Sequence, residues 1–184
     1  IHIPASAWIR LDLAGTTLGG DPGTDGAIVR LTSLLDGAQQ THSGESLAQW
    51  RHTSAYLNGD TIRIELLARP GTEPSRLLIT TADYQPVSSF ESRSLCGVDD
   101  RVLSSDPRNA RFLPSGCTAW LHNDLNRTFH TAGHCGVTAS GISQFNVPLS
   151  TSSGGLNHPP PEHQYAVEPS SIQTASGTVG IDWA

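Results

Sequence analysis

The residues able to do chemistry lie in the second half of this 184-residue chain. Phe129-His130-Thr131-Ala132-Gly133-His134-Cys135 holds an imidazole at His134 between small residues and a cysteine. Imidazole titrates closest to neutrality, so a positioned histidine serves as a general base or a metal ligand. A general base must be held in a fixed rotamer, and Ala132 and Gly133 let the backbone pack tightly behind the ring. Asp182 falls in the apolar stretch 179–184, which suits a buried carboxylate with a partner, because unpaired burial is costly. Cysteines stand at 96, 117 and 135. An odd number leaves one without an internal partner in an oxidising compartment, and three buried free thiols in a cytosolic protein are the alternative. There is no C-x-x-C spacing, so no zinc site is expected. His158 and His163 flank Pro159-Pro160-Pro161 with only Glu162 nearby, which reads as a stiff solvated loop rather than a metal site. Asp21 with Asp25, and Asp99 and Asp100 with Asp106, read as surface solubilisation rather than Ca²⁺ ligands. Neither a metal nor a cofactor is expected.

Gly116-Cys117-Thr118-Ala119-Trp120-Leu121, followed by Thr131-Ala132-Gly133-His134-Cys135, resembles the trypsin-like (chymotrypsin-fold) serine proteases. That family carries its catalytic His in a T-A-[AG]-H-C block, which residues 131–135 fit at every position. The resemblance implies that His134 is the general base, and later the general acid, of peptide hydrolysis. It also implies a disulfide between Cys135 and Cys117, which opens the preceding strand, with the turn over Asn123-Asp124-Leu125-Asn126. Closing a loop of about 19 residues contributes roughly 3 kcal/mol on the chain-entropy model and anchors the segment that carries the His. Asp182-Trp183-Ala184 looks like the start of the family's D-[IW]-A-L strand. The implied role of Asp182 is to accept the Nδ1–H of His134 and fix its tautomer, and the order His before Asp agrees.

The family's G-D-S-G-G block does not occur in the chain. Ser153-Gly154-Gly155 precedes Asp182 and lacks an Asp before the Ser, so it is not assigned as the nucleophile. The nucleophile, oxyanion hole and specificity pocket are therefore expected from a second barrel, on a following segment or a second chain. By resemblance, Cys96 would make an interchain disulfide to that part; the alternative is a free thiol. The absence of Met makes Ile1 no initiator, so an upstream segment is also expected.

The elements that position these residues read as all-β. Residues 7–13, 27–33 and 61–68 alternate apolar and polar as half-buried strands, and residues 76–81 read as a further strand. Residues 18–26, 34–38 and 58–60 carry turn signals, and residues 46–50 fit a short helical turn or a strand start. No helical pattern longer than about ten residues occurs. Short strands at regular turn spacing predict a β-sandwich or jelly-roll-like domain over residues 1–88. A polar linker over 84–94 then leads to the first barrel of a trypsin-like protease over residues 89–184. Trp8, Trp50 and Tyr56 are read as core rather than as a ligand-binding face. Asn126-Arg127-Thr128 is an N-glycosylation sequon at a hairpin tip.

Composition narrows the function classes. With 36% hydrophobic and 15% charged residues, the chain is too apolar and too weakly charged for disorder. No stretch approaches the roughly 18 apolar residues of a membrane span. A net charge of −6, with scattered arginines, argues against nucleic-acid binding. The expectation is a secreted or periplasmic serine endopeptidase acting on protein or peptide substrates, with this chain alone inactive. The competing expectation is a non-catalytic binding or adhesion module on a degenerate protease scaffold. Whether the end at Ala184 reflects maturation, autolysis or truncation is left open by the residues.

Overall fold

A computed structural model describes residues 1–21, 23–87, 102, 106–126, 128–151, 155–177 and 180–184. The chain divides into two compact units, Ile1–Ser88 with Pro160–Glu162 and Ser89–Pro159 with His163–Ala184. Both units are built mainly of antiparallel strands, as the alternation in the sequence predicts.

In the first unit, β1 (Ser6–Asp12), β4 (Leu57–Asn58) and β6 (Thr81–Pro86) form one three-stranded sheet, with β1 central. A second sheet places β2 (Ile28–Ser33) between β3 (Gln39–His42) and β5 (Ile62–Leu67). Period-2 alternation sends Ile9 and Leu11 inward to meet Val29, Leu31 and Ile62 in one apolar cluster. Helix α1 (Gly44–Gln49) adds Leu47 to that cluster. The helix is short, and a capping box holds its start: Ser43 Oγ accepts from Ser46 N, and Ser46 Oγ accepts from Ser43 N. Tyr56 is buried, and Trp8 packs edge-on against it with centroids 4.9 Å apart. Trp50 packs likewise against the buried His42. Tyr56 is therefore internal as expected, whereas Trp8 and Trp50 are half-buried and lie outside the apolar cluster.

The strand expected over 76–81 lies further on. Arg76 makes only an isolated bridge with Thr17, while Leu77 and Ile79 pack against the core. The strand itself is β6, whose register sets Tyr84 opposite Ile9 and Ala82 opposite Leu11. Residues 84–86 therefore belong to the sheet and not to a linker. Their polar character comes from exposure: Thr81, Asp83 and Tyr84 all face solvent. The rest of the linker, from residue 88 to 94, lies outside the described residues.

In the second unit, five strands run in the order β11-β10-β7-β8-β9 and curl into a half-barrel. They are β7 (Asn109–Leu113), β8 (Cys117–Leu121), β9 (Phe129–His130), β10 (Ile142–Phe145) and β11 (Gln164–Ala166). A separate hairpin joins β12 (Ala175–Ser176) to β13 (Asp182–Trp183). Phe112, Ile142 and Ala119 are buried at the centre. Gly141 makes room for the Phe112 ring, since a Cβ there would sit 2.4 Å from Phe112 Cζ.

His158 corrects the sequence reading. It is 2% exposed, not part of a solvated loop. Its Nδ1 stands 3.3 Å from Arg111 Nη2 and 3.0 Å from Gln144 Nε2, and Gln144 in turn donates to Gln164 Oε1 at 2.9 Å. Arg111 Nη2 also donates to Gln144 Oε1 and to the Asn157 carbonyl. The cost of burying these polar groups is offset by their mutual bonds, so periodicity alone does not reveal that they are internal. Burial, reinforced by the Arg111 charge, pushes the His158 pKa down to about 3, so the ring is neutral.

Candidate active site

His134 is positioned by three fastenings on a short segment. Past β9, the chain runs through Thr131 and Ala132 into a 3-10 turn, Gly133–Cys135, which Gly136 ends at a φ of 65°. Cys135 is bonded to Cys117 at the start of β8, the disulfide that the resemblance implies. Thr131 exchanges two backbone hydrogen bonds with Ala184, at 2.8 and 2.9 Å, and its hydroxyl donates to the Thr118 carbonyl. These bonds bring residues 182–184 alongside the turn.

Gly133 is the third fastening. A Cβ there would lie 2.2 Å from the Ala175 carbonyl oxygen and 3.0 Å from Trp183 N. Only glycine lets the β12–β13 hairpin approach so closely. The hairpin in turn sets Ser176 opposite Asp182.

The outcome is a two-point grip by one carboxylate on one residue. Asp182 Oδ1 accepts from the His134 backbone N–H at 2.7 Å, and Oδ2 lies 2.5 Å from His134 Nδ1. An ionised carboxylate can only accept, so Nδ1 carries a proton, and in the neutral ring the lone pair is on Nε2. The hydrogen bonds from the His134 ring, and then from its backbone, hold the Asp182 carboxyl below its ordinary pKa. The expectation that Asp182 is buried does not hold. Its side chain is 35% exposed and that of His134 is 69% exposed. Its strand is two residues long and exposed, so apolar neighbours in sequence do not enclose it.

An imidazole with Nδ1–H engaged and Nε2 open can take a proton from a group that comes within hydrogen-bond reach. The same corner does not offer a metal site. Cys117, His134 and Cys135 present donor atoms within 4.8 Å of one another, but the two sulfurs are spent on their mutual bond. Cys96 and Ser153 lie outside the described residues. The contributions of Ala175 and Ala184 are made by backbone and leave no side-chain pattern to read. The bar against a Cβ at Gly133 is visible only once the hairpin is in place. Compared with known proteins, the chain matches no family model, no curated protein and no solved structure.

Proposed function

We propose that residues 89–184 form the first barrel of a trypsin-like serine endopeptidase, preceded by a β-sandwich accessory domain over residues 1–88. The observation that carries this reading is the grip of Asp182 on both the backbone and the ring of His134, inside a T-A-G-H-C block closed by a disulfide. In the proposed reaction His134 Nε2 accepts the proton of a serine hydroxyl as that oxygen attacks the substrate carbonyl. Asp182 keeps the imidazole in the right tautomer and stabilises its positive charge. The proton then passes to the departing amine, and a water repeats the sequence to free the acid. The serine, oxyanion donors and specificity pocket come from a following segment or a second chain, so this chain alone is inactive. Cys96 is assigned, on the same reading, to an interchain disulfide with that part.

Localisation follows from chemistry. A disulfide persists in oxidising compartments, and no helix among the described residues is long and apolar enough to cross a membrane. The disulfide fits a secreted or periplasmic enzyme acting on proteins or peptides.

The test uses the protein isolated from its source with everything that co-purifies. A fluorophosphonate probe is expected to label a serine on a linked or adjoining segment, and His134→Ala is expected to abolish both labelling and peptide turnover. Retained turnover in that variant rejects the assignment. No labelling of any chain instead favours a binding module on a protease-like scaffold.

A further inference from the structure

Besides the imidazole of His134, two others sit on the β8–β9 hairpin. His122 follows β8 and is exposed, and His130 ends β9 and is half-buried. Their ring centroids are 5.1 Å apart with planes at 71°. Trp120 lies nearly parallel to the His130 ring, centroids 6.3 Å apart, and walls one side of it.

The turn between the strands fixes the tautomer of His130. Thr128 Oγ1 donates to Asp124 Oδ2 at 2.7 Å. The same oxygen lies 3.2 Å from His130 Nε2. With its proton spent on Asp124, the hydroxyl can only accept from the ring. Nε2 of His130 therefore carries a proton, and in the neutral ring the lone pair is on Nδ1. Metal-ligating histidines are prepared in this way, with the second ring nitrogen donating to an outer partner that a carboxylate backs. The spacing agrees. Two imidazoles bound to one ion through bonds of about 2.1 Å, at angles between square and tetrahedral, place their centroids about 4.5–5.2 Å apart.

We propose that His122 and His130 form a surface site for a borderline divalent transition ion of the Zn²⁺ class. Imidazole ligands select such ions over Mg²⁺ and Ca²⁺, which take oxygen donors. Among the described residues, Cys117, His134 and Cys135 are the one grouping of three or more His, Cys, Asp or Glu donors within ligating reach of one another. Water therefore completes the coordination at the hairpin, on its exposed side.

Zn²⁺ alone, titrated into the full chain at neutral pH and followed by calorimetry and by histidine ring nitrogen shifts, tests the site. One equivalent is expected to bind and to move the His122 and His130 resonances. His122→Ala and His130→Ala are each expected to weaken binding at least about tenfold, and Thr128→Val about tenfold through the lost outer contact. His134→Ala is expected to bind as the parent does, which separates this site from the candidate active site and from its reading. Unmoved His122 and His130 resonances, or wild-type affinity in either alanine variant of the pair, overturn the proposal.

Discussion

Asp182 makes two hydrogen bonds to one residue, and each does a different task. The bond to the His134 backbone sets where the residue sits, and the bond to Nδ1 sets which nitrogen is open. Asp182→Asn keeps the shape but not the obligatory acceptor, so the ring can take the wrong tautomer. Turnover of the complete enzyme is then expected to fall about 10⁴-fold, read as kcat, with little change in Tm. The carboxyl is held below its ordinary pKa in the folded state. Its contribution is therefore complete above the ordinary carboxylate range and disappears as pH falls through the lowered value.

Two buried imidazoles lose stability in the same direction, in a window at higher pH. Burial depresses His42 to about 4 and His158 to about 3. Between those values and the ordinary value near 6.5, the unfolded chain binds protons that the folded chain refuses. Stability is thus complete above pH 6.5 and declines as pH drops toward 3. For His158 the loss amounts to roughly 3–5 kcal/mol. Urea titrations across that window should show a flatter pH profile in His158→Gln, which keeps an acceptor for Arg111 without the titration. The T-A-G-H-C block makes His134 legible in sequence because it is local. His158 is misread because its partners Arg111 and Gln144, and Gln164 which holds Gln144, come from three separate strands.

At the scale of elements, the candidate site depends on how closely the β12–β13 hairpin approaches the 3-10 turn. Gly133→Ala puts a methyl group into the Ala175 carbonyl. Overpacking of this kind typically costs about 1–3 kcal/mol. The variant should lower the unfolding free energy by that amount in denaturant titrations and shift the His134 ring resonances. Removing the disulfide by Cys117→Ser with Cys135→Ser should cost roughly 3 kcal/mol in denaturant titrations. Strands with strict alternation, β1, β2 and β5, are readable from pattern because one face is buried. β6 is not readable, because its partner β1 supplies the hydrogen bonds and its own side chains are mostly polar. The two-residue strands β12 and β13 are too short to carry any period at all.

At the scale of the molecule, each unit has its own interior. The cluster around Ile9, Leu31 and Ile62 comes wholly from the first unit, and Phe112 and Ile142 sit at the centre of the half-barrel. Phe112→Ala should cost about 3–5 kcal/mol. Hydrogen exchange should register that cost at β7 and β10, while the β1 and β2 amides keep their protection. The two-part organisation is visible in sequence, because strand-like patterns and cysteines occupy different halves. The half-barrel's closure is not visible, because long-range pairing such as that of β7 with β10 has no local signature.

The pairing of His134 with Asp182 spans 48 residues, whereas the disulfide beside it spans 18. Bringing the more distant ends together costs about 0.9 kcal/mol more in loop-closure entropy. A chain caught during synthesis or refolding can therefore hold its hairpin and its sulfur bridge while the imidazole is still unaccompanied. The hydrogen bond between His134 Nδ1 and Asp182 is then a marker of completed folding, and the ring orientation and tautomer that leave Nε2 open are fixed only in a finished molecule.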